Sequence, residues 1–269
     1  MRDYTLDING LRLHTYEAGS GSPSIVFIHG WASSGRTWQS SMERVAPYFR
    51  CLAPDLPGHG HSDKPPFSWY RLAAFVENVS SLLDVTRAHP ASVVGHSMGG
   101  TIAIELARRR PEAVTRLVLV NPVVTGRLTL DLRWISGRLP RRLALALARR
   151  MWPPSAARLR RSLERNGGRL PAGSYQRRDL EDLLQATADS LLGSARAVIR
   201  HDASPHLPAL RAPTLILLGA RDRTVPPREG RLAARAIAGS RLVELPVGHL
   251  PFDEAPVEFL DHLERFLLE

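Results

Sequence analysis

Ser97 lies between two glycines in Gly95-His96-Ser97-Met98-Gly99. A serine hydroxyl is a poor nucleophile at neutral pH, so chemistry here needs a histidine to take its proton and a carboxylate to orient that histidine. A glycine-flanked serine is also an ordinary turn, and the flanking residues bear on the choice. Ser92-Val93-Val94 reads as a buried strand, and Thr101 to Arg110 (TIAIELARRR) reads as a helix. Strand, sharp turn and helix are the setting of a nucleophile elbow, with the serine Oγ exposed and glycines where any side chain would collide.

In sheets of parallel strands, reacting groups gather beyond the carboxyl ends of the strands. Asp222 follows the apolar run Pro213 to Leu218 (PTLILL), and His249 follows Arg241 to Leu245 (RLVEL). Ser97, Asp222 and His249 are therefore the candidate nucleophile, acid and base. The oxyanion formed at an attacked carbonyl needs backbone N–H donors. Met98, opening a helix where N–H groups are free and the dipole favours negative charge, is one candidate.

Other reactive residue types have plainer readings. His29, His59, His61 and His96 stand in turns or loops, where they either support the backbone or meet a substrate. Asp55 also follows a strand, and is read as tying its loop to the scaffold. Pro205 separates His201 from His206, with no third ligand at a recognisable spacing, so no metal site is expected. No phosphate-cradling glycine motif is present, and no cofactor is expected.

The elements that must position these groups alternate. Tyr4–Asp7 and Leu11–Tyr16 flank Asn9-Gly10 as a hairpin, followed by strands at Ser24–His29 and Cys51–Leu56. Trp38, Met42, Val45 and Tyr48 recur at helical spacing, as do Leu72, Phe75, Val76, Val79 and Leu83. Arg116–Val120 is a further strand. From Pro122 to about Leu207 no strand-like run appears, and Leu, Ala and Arg dominate. The pattern resumes with PTLILL, a helix over Pro227–Ala238, RLVEL and a helix over Val257–Leu268. This predicts an α/β fold: a mostly parallel sheet flanked by helices, built from residues 1–121 and 208–269, with residues 122–207 as an inserted helical cap.

The 269 residues, 43% of them hydrophobic, suffice for a sizeable core. No apolar run reaches membrane-spanning length, the first residues lack a signal-peptide pattern, and Cys51 is the only cysteine. A soluble cytoplasmic protein is expected. The formal charge is +10, carried by arginine with Lys64 as the sole lysine. Such a charge suits acidic partners, but aromatics are sparse, without the stacking platform of single-strand binders, and no nucleic acid is expected.

Four motifs together resemble the α/β-hydrolase family: His29-Gly30-Trp31, Asp55-Leu56-Pro57-Gly58-His59-Gly60-His61-Ser62, the elbow, and the Asp222 and His249 segments. The resemblance implies a serine esterase acting on a small-molecule ester or thioester through an acyl-enzyme. It also implies that the Trp31 N–H is the second oxyanion donor; the indole either walls the acyl pocket or packs on the core. In some members the acid follows the strand after the elbow helix, here Asn121, an amide unable to act so.

His29-Gly30-Trp31, Asp55-Leu56-Pro57-Gly58 and His249-Leu250-Pro251-Phe252 further resemble the pimeloyl-carrier-protein methyl ester esterase family, although that family has Gly-Trp-Ser-Leu-Gly at the elbow. That resemblance implies cap arginines that hold an acidic acyl carrier protein, against the alternative of a merely solvated basic face. Leu139–Trp152 is expected to be a helix with Leu143, Leu145, Leu147 and Met151 turned inward and its arginines outward. A non-catalytic receptor on the same fold is the remaining alternative.

Overall fold

The computed structural model describes residues 1–129, 141–166, 171 and 173–269. Arg133, Arg138 and Leu139 lie outside the described residues. The eight strands are β1 (Arg2–Ile8), β2 (Leu11–Ala18), β3 (Ser24–Ile28), β4 (Arg50–Pro54), β5 (Ala91–His96), β6 (Val114–Val120), β7 (Thr214–Gly219) and β8 (Arg241–Leu245). They form one sheet in the order β1-β2-β4-β3-β5-β6-β7-β8. β1 and β2 pair antiparallel, as do β2 and β4, and every other pair is parallel. The first turn has Asn9 at φ 54° and Gly10 at φ 75°, the positive angles that let a two-residue hairpin match strand twist.

Residues of period two send alternate side chains to opposite faces of the sheet. Val26 and Ile28 of β3 join a core with α2 (Leu72–Val85), α3 (Met98–Arg109) and, further along, α7 (Arg228–Ala236). Ile25 and Phe27 point the other way, into a core with Trp38, Met42 of α1 (Gln39–Val45) and Phe259, Leu263 and Phe266 of α8 (Pro256–Leu268). Both faces are dry, which is why β3, β5 and β7 are apolar without alternation. The helix expected through Tyr48 ends earlier: α1 stops at Val45, and Tyr48 is exposed.

Between β6 and β7 the described residues form α4 (Arg141–Asn166), α5 (Tyr175–Gln185) and α6 (Ala188–Ile199). α4 runs through Pro153 and Pro154, whose missing N–H groups leave two carbonyls one turn earlier without intrahelical donors. Its inward side is not the one the sequence suggested. Leu145, Ala148, Trp152 and Leu159 are half-buried, whereas Leu143, Leu147 and Met151 are exposed. Trp152 Nε1 donates to Ala186 O at 2.9 Å, and Arg149 grips Asp189 through two 2.7 Å bonds. These contacts fix the helix rotation against α6, and the Leu143 stripe is left outside. α6 begins with a reciprocal cap, Thr187 Oγ1 accepting from Ser190 N and Ser190 Oγ from Thr187 N.

The chain returns to β7 through the turn Ser204–Ala209, held to α3 by one carboxylate. Glu105 Oε1 accepts from His201 Nε2 at 3.1 Å and His206 Nδ1 at 2.5 Å, and Oε2 accepts from Arg108 at 2.9 Å. Burial alone would raise this carboxyl, but the bonds from His201, Arg108 and His206 outweigh it and hold it well below the usual carboxylate range. A depressed folded value stabilises above the unfolded value, about 4.3, and is lost as pH falls through the folded value. Glu105→Gln is therefore expected to cost about 1.5–3 kcal/mol in urea melts at pH 5. The gap from wild type should narrow at pH 3; a constant gap would show that the carboxylate's charge does not carry the effect.

Candidate active site

β5 delivers Ser97 to the start of α3 with φ 53° and ψ −114°, a strained conformation for a residue with a side chain. Its backbone is pinned on both sides. Ser97 N donates to Val120 O at 2.9 Å, and Ser97 O accepts from Gly100 N at 3.0 Å. The flanking glycines are sterically required: a Cβ on Gly95 would lie 2.4 Å from Gly99 O, and one on Gly99 would lie 2.2 Å from Ile28 O. Met98 is the first residue of α3, so its N–H has no acceptor within the helix. The loop after β3 closes on the elbow, because a Cβ on Gly30 would sit 3.3 Å from Ser97 Cβ. Trp31 follows directly. Its indole is half exposed rather than buried in the core, and Nε1 donates to Leu191 O at 2.9 Å.

Asp222 is buried just beyond β7, where its Oδ1 accepts from Thr224 N at 2.7 Å and Val225 N at 3.0 Å. Its Oδ2 lies 2.6 Å from His249 Nδ1. A carboxylate can only accept here, so Nδ1 carries the proton and Nε2 is left as the basic nitrogen. The structure thus pairs Asp222 with His249, two residues that each follow a strand end.

Two residues hold His249 that the sequence reading gave other fates. His96, buried beside Ser97, donates from Nε2 to His249 O at 2.9 Å, and the two rings lie 4.6 Å apart. Burial, with His249 adding to it, drives the His96 ring well below its ordinary range, so it stays neutral. Asn121 donates from Nδ2 to His249 O at 3.0 Å and to Gly248 O at 3.2 Å, while Oδ1 accepts from Gly219 N at 2.8 Å. The amide unfit as an acid instead ties β7 to the His249 loop. Glu254 completes the hold, accepting from Gly248 N at 2.7 Å and Leu250 N at 3.1 Å. His96 ends β5 and Asn121 directly follows β6, the same strand-end signal that singled out Asp222 and His249.

His29, Asp55 and His59 are hydrogen-bonded to the surrounding backbone. His29 is buried, donating from Nδ1 to Gly30 O at 2.7 Å and accepting at Nε2 from Leu56 N at 2.9 Å. Asp55 accepts from Gly35 N at 2.6 Å and His61 N at 2.8 Å, securing its loop. Burial pushes His59 down to about 3, which keeps the ring neutral, and the Cys51 thiol up to about 12, which keeps it protonated. The reading of His201 and His206 as lacking a third partner is corrected. Glu105 from α3 joins them, the three ligand atoms lying within 4.8 Å of one another. Arg108 and Arg109 already occupy the other oxygen of that carboxylate, at 2.9 and 3.6 Å.

An apolar cavity of about 380 Å³ adjoins Trp31, lined by Met151 and Trp152 of α4 and Leu191, Leu192 and Ile199 of α6. No described helix is long and apolar enough to cross a membrane.

An elbow serine, an Asp–His pair and this strand order are the plan of a hydrolase, and the comparisons agree. Residues 25–262 match the model of the alpha/beta hydrolase family, and the chain belongs to that family. It is 33% identical to an uncharacterized protein of Mycobacterium tuberculosis H37Rv, over 97% of this chain and 79% of that one. It is 29% identical to the pimeloyl-[acyl-carrier protein] methyl ester esterase of Vibrio vulnificus YJ016, covering 94% and 97% of the two chains. The crystal structure of a hydrolase from Pseudomonas aeruginosa superposes with a TM-score of 0.83 at 29% identity, over 98% of both chains.

If Ser97 is the reactive hydroxyl, a fluorophosphonate probe should add to Ser97 of the wild type and leave Ser97→Ala unmodified by mass spectrometry. Asn121→Ala should slow that labelling by about 10- to 100-fold, through displacement of His249. Undiminished labelling of Ser97→Ala would place the nucleophile elsewhere.

Proposed function

We propose that this hydrolase cleaves carboxylic esters or thioesters through an acyl-enzyme. The observation that carries the reading is the 2.6 Å bond from His249 Nδ1 to buried Asp222, beside the strained Ser97 elbow. Ser97 Oγ attacks the substrate carbonyl as His249 Nε2 takes its proton, and Asp222 stabilises the resulting imidazolium. The N–H groups of Trp31 and Met98 bind the oxyanion. Collapse of the tetrahedral intermediate expels the alcohol or thiol, which takes the proton from His249. Water, deprotonated by the same histidine, then attacks the acyl-enzyme, and a second collapse returns the proton to Ser97 and frees the acid. His96, Asn121 and Glu254 position the histidine and touch no reacting atom. α4, α5 and α6 act as the cap over this centre, with the apolar cavity taking the acyl chain.

A second reading, a carrier-protein-linked methyl ester esterase, draws support from the Vibrio vulnificus relative. In it, the arginines of α4 would hold the acidic carrier.

Initial rates on p-nitrophenyl esters from acetate to long-chain acyl groups test the first reading. Turnover should peak at medium or long chains, falling about 10⁴- to 10⁶-fold in Ser97→Ala and about 10⁴-fold in Asp222→Asn. Activity confined to a carrier-linked methyl ester, and weakened by salt, would favour the second. An unimpaired Ser97→Ala would overturn both.

A further inference from the structure

The rotation of α4 leaves a surface that the hydrolytic reading does not require. At 100° per residue, Leu143, Leu147 and Met151 form one stripe on the outer side, and they are 49%, 44% and 63% exposed. Two turns further along, the same side carries Arg158, Arg161 and Arg165, all exposed, and Arg150 borders the stripe. The helix holds eight arginines against the single acid Glu164. A basic helix with bare aliphatic side chains aimed away from its own protein matches the composition of helices that lie in a lipid interface.

Met151 belongs to both surfaces. It stands in the exposed stripe and also lines the apolar cavity that Trp31 walls. The cavity that Trp31 lines therefore reaches the outer face of α4 at Met151.

We propose that the outer face of α4 docks on an anionic lipid surface and admits the hydrocarbon chain of a lipid-borne ester into the cavity beneath it. The substrate part of this inference rests on the serine-hydrolase reading; the docking part does not. Leu143, Leu147 and Met151 enter the acyl region, and the arginines engage the anionic headgroups. The apolar stripe favours lipid over an acidic carrier, because the arginines alone would serve a folded acidic surface.

The test is co-sedimentation of the full chain with vesicles of phosphatidylcholine alone, or with about a third phosphatidylglycerol, at low and moderate salt. Binding is expected to the anionic vesicles and to weaken with salt. It should fall at least about 10-fold both in Leu143→Glu/Leu147→Glu and in Arg158→Gln/Arg161→Gln, with unchanged melting temperatures. The arginine pair serves as the test if the leucine pair fails to fold. Ser97→Ala should bind like wild type, so a failed hydrolytic reading leaves the docking result interpretable. Equal binding to both vesicles, or to neither, would overturn the proposal. So would capture of an acidic acyl carrier protein without vesicle binding, or loss in the arginine variant with full binding by the leucine variant.

Discussion

The close approach of backbones at the carboxyl end of β5 is the constraint on which the rest depends. Ser97 can occupy φ 53° only because Gly95 and Gly99 let β5, α3 and the end of β3 come within van der Waals contact. With the backbones that near, the Gly30 turn is pressed against Ser97 and the start of α3 points at the same space. Nucleophile and both candidate oxyanion donors thus follow from one packing event. A methyl group at either glycine would separate all three together. The strand order makes this place available: β4 lies on one side of β3 and β5 on the other, so the loops after β3 and β5 diverge and open a crevice between them.

The histidine depends on a different device. His249 sits in a loop beyond β8, an edge strand whose side chains are mostly exposed, and packing alone holds such a loop poorly. The structure compensates with hydrogen bonds to backbone rather than to the ring. His249 O receives His96 and Asn121, while the N–H groups on either side of the residue meet Glu254. The ring is left with one strong partner, Asp222, which fixes its tautomer. Position and protonation are governed by separate groups, so a change at Asn121 alters geometry while leaving the Asp–His pair chemically intact.

How much of this could be read from the sequence follows the range of the interactions. The elbow, the hairpin and the Asp222 and His249 loops are local patterns in which glycine, proline or a strand end marks the place, and their residues were identifiable. The parallel sheet was legible because β3, β5 and β7 are apolar on both faces. His96 and Asn121 carry the same strand-end signal, but the partners of the holding residues were not legible. Asn121 and His249 are 128 positions apart, and Glu105 and His206 are 101 apart, so only the folded chain shows that a rejected acid is a tether or that two histidines share a carboxylate. The orientation of α4 failed for another reason. Its leucines repeat often enough to define two faces, and the side packed on α6 is chosen by Trp152 and Arg149 rather than by aliphatic content.

That choice has a consequence for the centre as a whole. Tying α4 down by an indole N–H and a bidentate ion pair fixes it at two points and leaves an apolar space between it and α6. Leucines turned inward would have filled that space, and the helix would have been a lid without a chamber. With Leu143 and Leu147 facing outward, the cavity is walled by two indoles whose N–H groups are already satisfied by Leu191 O and Ala186 O. The indoles present only ring surface to the interior, so a polar chain would find no partner among them, whereas a hydrocarbon chain would lose nothing by entering. The same rotation that exposes Leu143 and Leu147 therefore leaves a mostly apolar interior, with Ser155 and Arg196 as the polar residues on its lining.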